Sequence, residues 1–335
     1  MDHFTYSGSP TLKNNFLITD YEELAVVETV YVEARSIEIR DGYGPKSLLN
    51  VDYLKAIHKH LFQDVYEWAG STRDTPVTLS DGTIATAPFL QRAGSKPFLS
   101  GPSIAKALTQ FETKIREADF LCGLARKDFA IQAGDLMAEL NDIHPFREGN
   151  GRTQRVFMEQ LALSAGHQLD FSIISKERMI QASIEAREKA DTSMMRRMFD
   201  EISDPARVSL MTQSIEALER LNYNWNEQYV AALAPGHSVK LILAGVAGDQ
   251  FMGRTDNAIL FGRTIDLPDP RPLVGDRCII VASDYGLPAT RTAEVSADRK
   301  QTVEPLADNS IREQAGTEPQ QSISRDRSRD WDITR

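Results

Sequence analysis

Twelve consecutive residues hold most of the reactive chemistry of this chain: His144-Pro145-Phe146-Arg147-Glu148-Gly149-Asn150-Gly151-Arg152-Thr153-Gln154-Arg155. Histidine is the side chain best suited to take a proton near neutral pH, and His144 stands where a helical segment gives way to a loop. Pro145 stops that helix, and Phe146 is an apolar anchor for the loop. Glu148 offers a hard carboxylate oxygen of the kind Mg2+ takes together with phosphate oxygens. Gly149-Asn150-Gly151 lets the backbone turn its N–H groups towards an anion. The helix that follows adds the positive end of its dipole, worth about 0.3–1 kcal/mol at exposed sites. Arg152 and Arg155, three apart, share one helix face and can clamp phosphate oxygens from one side. Each part alone is usually structural. In this order they form a near-complete set for chemistry on a nucleoside triphosphate.

The elements that must position these residues read as helices. Asp20 can cap a helix running from Tyr21 to Ile37, and Asn50 a second with Val51, Leu54, Ile57, His58 and Leu61 on one face. A third is expected over 103–118. A fourth, from Asp128 to Ile143, repeats Phe129, Ala133, Leu136, Leu140 and Ile143 at helical spacing. A fifth starts inside the glycine-rich stretch and runs to Ala165, where Gly166 can end it. Further helices are expected at 176–190, 192–201 and 206–222. Between the second and third, β-branched residues flank Asp81-Gly82, a hairpin signal over 77–86 that reads as a surface flap. Beyond the last helix the short apolar runs 239–243, 258–261 and 278–282 read as strands. The expected organisation is an irregular lead-in (1–19), a mainly α domain with a β-hairpin flap (20–205), a connecting helix (206–229), a small all-β domain of OB-like form (230–296), and a disordered linker or tail (297–335).

Composition narrows the partners. There are 48 Asp and Glu against 38 Lys and Arg, a net charge of −10, which argues against nucleic acid as the main partner. The two cysteines, Cys122 and Cys278, suit a reducing compartment and are expected as small core residues. The start, Met1-Asp2-His3-Phe4-Thr5, has no basic and apolar run of a Sec-type leader, and no stretch approaches the ~18–20 apolar residues of a membrane span. His58 and His60 lie on different helix faces, poorly placed to share a metal. His167 reads as a cap or surface residue and Trp68 as core.

The twelve residues resemble the Fic family signature, His-x-Phe-x-(Asp/Glu)-Gly-Asn-Gly-Arg-x-x-Arg, at every defined position. The resemblance extends over about residues 20–200 and includes Phe62-Gln63-Asp64-Val65-Tyr66-Glu67-Trp68-Ala69-Gly70, similar to the family's segment before its flap. The succession of helical core, flap and β domain is similar to the Bartonella effector Fic proteins. Those typically end in a secretion-signal domain, and the polar tail here stops where it would begin. The resemblance implies transfer of AMP from ATP to a protein Ser, Thr or Tyr hydroxyl. His144 would be the base and Glu148 the Mg2+ ligand. Phe146, Gly149, Asn150, Gly151, Arg152 and Arg155 would form the nucleotide site, with Arg155 towards the γ-phosphate. The flap residues Val77, Thr78, Leu79, Ser80, Asp81, Gly82, Thr83 and Ile84 would align an extended target segment by β-augmentation.

Doc-type relatives phosphorylate and carry lysine where Gly151 stands, so Gly151 favours nucleotidyl transfer. A relative using CDP-choline shares the signature, which keeps another nucleotide donor as an alternative. An adaptor with vestigial chemistry is a second alternative, against which the complete signature argues. Many Fic proteins also carry an inhibitory (Ser/Thr)-x-x-x-Glu-(Gly/Asn) helix. Glu148 is the only glutamate here followed by Gly or Asn, so inhibition is expected from a small antitoxin-like partner whose Glu reaches Arg155. The target is expected to be a host protein, with small GTPases the class the resemblance suggests. The place of action would be the host cytoplasm after secretion from the bacterium.

Overall fold

Short polar side chains open the first two helices. Asp20 accepts from the Glu23 N–H at 2.8 Å and starts α1 (Tyr21–Arg40), and Asn50 accepts from the Tyr53 N–H at 2.9 Å and starts α2 (Val51–Phe62). Each cap satisfies an N–H that the helix itself cannot pair. The computed structural model describes residues 3–91 and 95–285; the tail expected over 297–335 lies outside them.

The flap, β1 (Val77–Thr78) paired with β2 (Ile84–Ala85), precedes α3 (Pro102–Glu117). There follow α4 (Arg126–Ile143), α5 (Asn150–Ser164), α6 (Lys176–Lys189), α7 (Ser193–Ile202) and α8 (Pro205–Arg220). The helix bounds agree with the sequence expectation to within three residues. The fourth helix is the central one: Phe129, Ala133, Leu136, Leu140 and Ile143 are all buried along it. Gly134 lets α7 lie against α4, because a Cβ there would sit 2.9 Å from the Arg196 Cα.

The hairpin is shorter than the alternation suggested. Only two residues on each side pair, and Leu79–Thr83 form a turn closed by the Leu79 N–H on the Thr83 carbonyl at 2.8 Å. The lead-in braces it. Phe4 and Leu12 are buried, Lys13 bonds Asp81 at 2.7 Å and Thr83 at 3.0 Å, and Ser80 bonds Glu67. The Lys13 ammonium holds the Asp81 carboxyl below its ordinary range. The irregular segment before α1 is therefore docked against the helical body.

After α8 come β3 (Val230–Ala232), β4 (Ser238–Ala247), β5 (Gln250–Arg254), β6 (Ile259–Arg263) and β7 (Arg277–Val281). They form one sheet in the order β3-β6-β5-β4-β7, with β3 parallel to β6 and the other neighbours antiparallel. Val230, Ala232, Ile259 and Phe261 join the core of the helical body, while Leu233, Leu241, Leu243, Phe251, Ile280 and Ala282 make a second, smaller core. Strands β3 and β5 were missing from the sequence reading. One cysteine expectation fails as well: Cys122 is exposed, after the turn that ends α3, and Cys278 is half-buried at the edge of the small core.

A buried charge cluster joins sheet to helices. Glu201 of α7, wholly buried, accepts from Arg178 of α6 at 2.9 Å, Arg207 of α8 at 3.1 Å and the Ala232 N–H of β3 at 3.0 Å. Burial works against the Arg178 charge, but Glu201 beside it prevails and raises its pKa.

Candidate active site

The helix α4 ends on His144, whose backbone is left-handed at φ 48° and ψ 62°. A non-glycine residue held there carries strain of order 1–3 kcal/mol, which surrounding contacts must hold in place. Several such contacts are present. Arg73, fully buried, donates from Nε to the His144 carbonyl at 2.8 Å and from its other guanidinium nitrogens to the carbonyls of Ala87, Pro88 and Leu99. Its own N–H donates to the Pro145 carbonyl at 2.8 Å, and its carbonyl accepts from the Ala87 N–H at 2.7 Å. One guanidinium thus ties the turn after α4 to the exit of the flap. Burial pushes the Arg73 pKa down to about 10. The imidazole of His144 is 1% exposed and stacks on Phe98, centroids 4.0 Å apart and planes 17° apart.

The wall behind the glycine turn is α2. His58 accepts the Gly70 N–H at Nδ1 (2.7 Å), which leaves Nε2 to donate to the Glu148 carbonyl at 3.1 Å. Phe146 stacks on His58 with centroids 3.9 Å apart. Asn150 closes the turn from inside, accepting the Phe146 N–H at 2.8 Å and donating to the Phe146 carbonyl at 2.9 Å. Both side chains are therefore occupied in shaping the loop. The structure places the Phe146 ring and the Asn150 amide inside their own turn, both buried.

Gly149 precedes α5 at φ +78°, and no side chain caps the helix. The N–H groups of the first turn are what this end of α5 presents. A Cβ on residue 149 would lie 2.2 Å from Cζ of Phe62, so the ring of α2 dictates glycine. Gly149→Ala is expected to destabilise the fold by about 1–3 kcal/mol through overpacking, measured by urea denaturation. A neutral alanine would mean that Phe62 moves aside without cost.

Arg152 is held by a residue far away in sequence. Its Nη2 lies 2.7 Å from Oε1 of Glu28 on α1 and 3.5 Å from Glu148, and its guanidinium sits over the Phe62 ring, 4.8 Å from the centroid. The second oxygen of Glu28 accepts from the Tyr66 hydroxyl. Burial first, then the Glu28 charge, pushes the Tyr66 pKa well above its ordinary value. Arg155, also buried, reaches a cavity of about 590 Å3 between α1, α5 and α8, lined also by Val32, Ser36, Glu159 and Leu163. Neither His144 nor Glu148 lines that cavity.

Among the described residues no group of three His, Cys, Asp or Glu could cage a metal. The donor set here is one buried carboxylate beside an anion-directed turn. That suits Mg2+, which keeps few protein ligands and completes its shell with phosphate and water.

The structure thus brings Glu148 and Arg152 together with Glu28, sets Arg152 and Arg155 on the same cavity, and links the His144 turn to the flap exit through Arg73. Sequence reading missed Glu28, Arg73, Phe98 and the use of His58 and Tyr66. The one available signal was the place of Glu28, four residues after Leu24 and four before Val32 on the buried stripe of α1. His167, expected as a cap or surface residue, bonds the Leu124 carbonyl at 2.9 Å and stacks on Phe129. His60 lies 3.0 Å from Glu38, away from the site. No helix among the described residues is long and apolar enough to cross a membrane.

The chain is similar to known proteins in sequence and in fold. The sequence profile of the Fic/DOC family matches residues 48–162. A protein adenylyltransferase of Bartonella henselae is 33% identical over 315 residues, which cover 93% of this chain and 57% of that protein. The chain thus spans little more than half the length of that curated relative. The solved structure of the type IV secretion system effector protein BepA is 34% identical with a TM-score of 0.77, covering 84% of this chain and 96% of the other. BepC from Bartonella tribocorum, solved with bound AMPPNP, is 40% identical with a TM-score of 0.58, covering 60% and 96%.

Proposed function

This chain belongs to the Fic/DOC family, and from that premise we propose that it is a protein adenylyltransferase that moves AMP from ATP to a Ser, Thr or Tyr hydroxyl of a target protein. The observation that carries the proposal is the turn between α4 and α5. It holds a histidine, a single buried carboxylate, an uncapped helix start and two arginines within one short loop and helix turn.

In this reading the target hydroxyl is aligned by the flap residues Val77–Ile84, one short backbone edge of which pairs with an extended segment of the target. His144 takes the hydroxyl proton as the oxygen bonds the α-phosphorus. The bond from the α-phosphorus to the bridging oxygen breaks, and pyrophosphate leaves. The first-turn N–H groups of α5 receive charge on the phosphates, and Arg155 faces the outer phosphate. Arg152 supports the same oxygens while Glu28 fixes its direction. Mg2+, held by Glu148 and phosphate oxygens, would supply charge neutralisation. Positioning and charge stabilisation are what phosphorus chemistry mainly requires.

The finer readings follow from this one. The cavity beside Arg155 favours an antitoxin-like partner that lays a helix along α1 and α5 and presents a glutamate to that arginine. Likeness to a type IV secretion effector supports translocation into a host cell, with small GTPases as the target class. An OB-like form of the sheet is supported by its five-stranded order and by a link between its two edge regions. The Tyr285 hydroxyl, beyond β7, donates to the Leu233 carbonyl, beyond β3, at 3.0 Å. We keep the division the sequence suggested, a catalytic body over 20–205, a connecting helix over 206–229 and a small β domain over 230–296, the last of which is described as far as residue 285.

The test uses α-labelled and γ-labelled ATP with a eukaryotic cell lysate. Label entering protein from the α position alone is the expected result. Label from the γ position would make the chain a kinase, and label from neither would point to another donor.

A further inference from the structure

We propose that Phe98, backed by Arg187, is the positioning residue of His144: a flat platform that fixes the angle of the imidazole. The inference rests on the base role proposed for His144 and adds what holds that base.

The ring of Phe98 lies 4.0 Å from the imidazole, nearly parallel to it, and the Arg187 guanidinium carbon lies 3.9 Å from the same ring centroid. Two planar groups so near one centroid must occupy opposite faces. The order is therefore guanidinium, benzene ring, imidazole, with Phe98 buried in the middle.

The supports of this stack converge on the same turn. Arg187 donates from Nε to Asp142, two residues before His144, at 3.1 Å, and from Nη2 to the Lys96 carbonyl at 2.8 Å. The Lys96 N–H donates to Glu188 at 2.9 Å, so α6 grips the segment carrying Phe98 at two points. The Phe98 N–H donates to the Leu90 carbonyl at 2.9 Å. Arg73 bonds both the Leu99 carbonyl and the His144 carbonyl. Ring and imidazole thus hang from shared anchors and keep their spacing.

A base must lie within hydrogen-bond reach of its proton, and an error of about 1 Å costs on the order of 100-fold in rate. A residue that only fills the core would alter stability without separating turnover from nucleotide affinity.

The experiment uses the full chain and its Phe98→Leu, Phe98→Tyr and Arg187→Met variants. It reads α-label transfer into lysate protein at saturating ATP, the ATP concentration for half the rate, AMPPNP affinity by calorimetry, and the urea midpoint. Phe98→Leu is expected to lower the saturating rate about 10–100-fold while half-saturating ATP and AMPPNP affinity stay within about 3-fold. Phe98→Tyr should recover the rate to within about 3-fold, and Arg187→Met should lower it about 3–10-fold with the same split. An unchanged rate in Phe98→Leu, an equal loss of nucleotide affinity, or a tyrosine no better than leucine overturns the inference. If Phe98→Leu fails to fold, Arg187→Met at the outer end of the stack decides: an unaltered rate there overturns it too. Absence of α-label transfer by the unaltered chain would overturn the proposed function itself.

Discussion

Replacing His144 by alanine is expected to reduce AMP transfer by about 100–10,000-fold, the range that a positioned general base contributes. AMPPNP affinity should stay within about 3-fold, because the imidazole acts on the acceptor side and a base lost from the transition state leaves ground-state binding alone. The pairing of measurements matters. His144 is buried at the end of the central helix and stacked on Phe98, so a rate loss alone could reflect a distorted turn. Preserved nucleotide binding, read by calorimetry, places the loss in chemistry. Transfer persisting within about 10-fold of the unaltered rate would remove His144 from the role of base.

The largest stability effect is expected at Glu201. Its carboxylate receives two guanidiniums and the Ala232 N–H, all inside the protein. Glu201→Ala leaves Arg178 without its carboxylate, while Arg207 keeps Asp200 at 2.7 Å. Removing one partner of a buried ion pair costs about 3–5 kcal/mol, because the remaining charge stays desolvated. Urea denaturation followed by near-ultraviolet circular dichroism reads the loss directly. A change below about 1 kcal/mol would mean that water reaches the cluster and that the junction of sheet and helices is looser than its geometry.

Much of this arrangement could be read along the chain, wherever one residue acts on its near neighbours. The caps at Asp20 and Asn50, the stop at Gly166 and the order of the signature are local features, and the structure keeps them. Contacts that assemble the site across long separations could not be read. Glu28 and Arg152 are 124 positions apart and Arg73 and His144 are 71 apart, and only the folded chain makes them neighbours. The strand β5 was missed for a different reason. Its sequence, Gln250-Phe251-Met252-Gly253-Arg254, has little apolar alternation because Gly253 lies under Leu241, where a Cβ would meet the leucine methyl at 2.6 Å. Cys122 was misjudged because a residue type often found inside was assumed to follow that habit in a loop.

The partnership of Glu28 with Arg152 sets a boundary on what can be trimmed from this protein. Residues 48–162 bear the family profile, yet α1 lies outside that span and carries the carboxylate that aims the first signature arginine. A fragment starting after α1 would keep every letter of the signature while its arginine turned instead to Glu148, its other carboxylate neighbour at 3.5 Å. The unit that holds this arginine in place is therefore longer than the span that the family profile recognises.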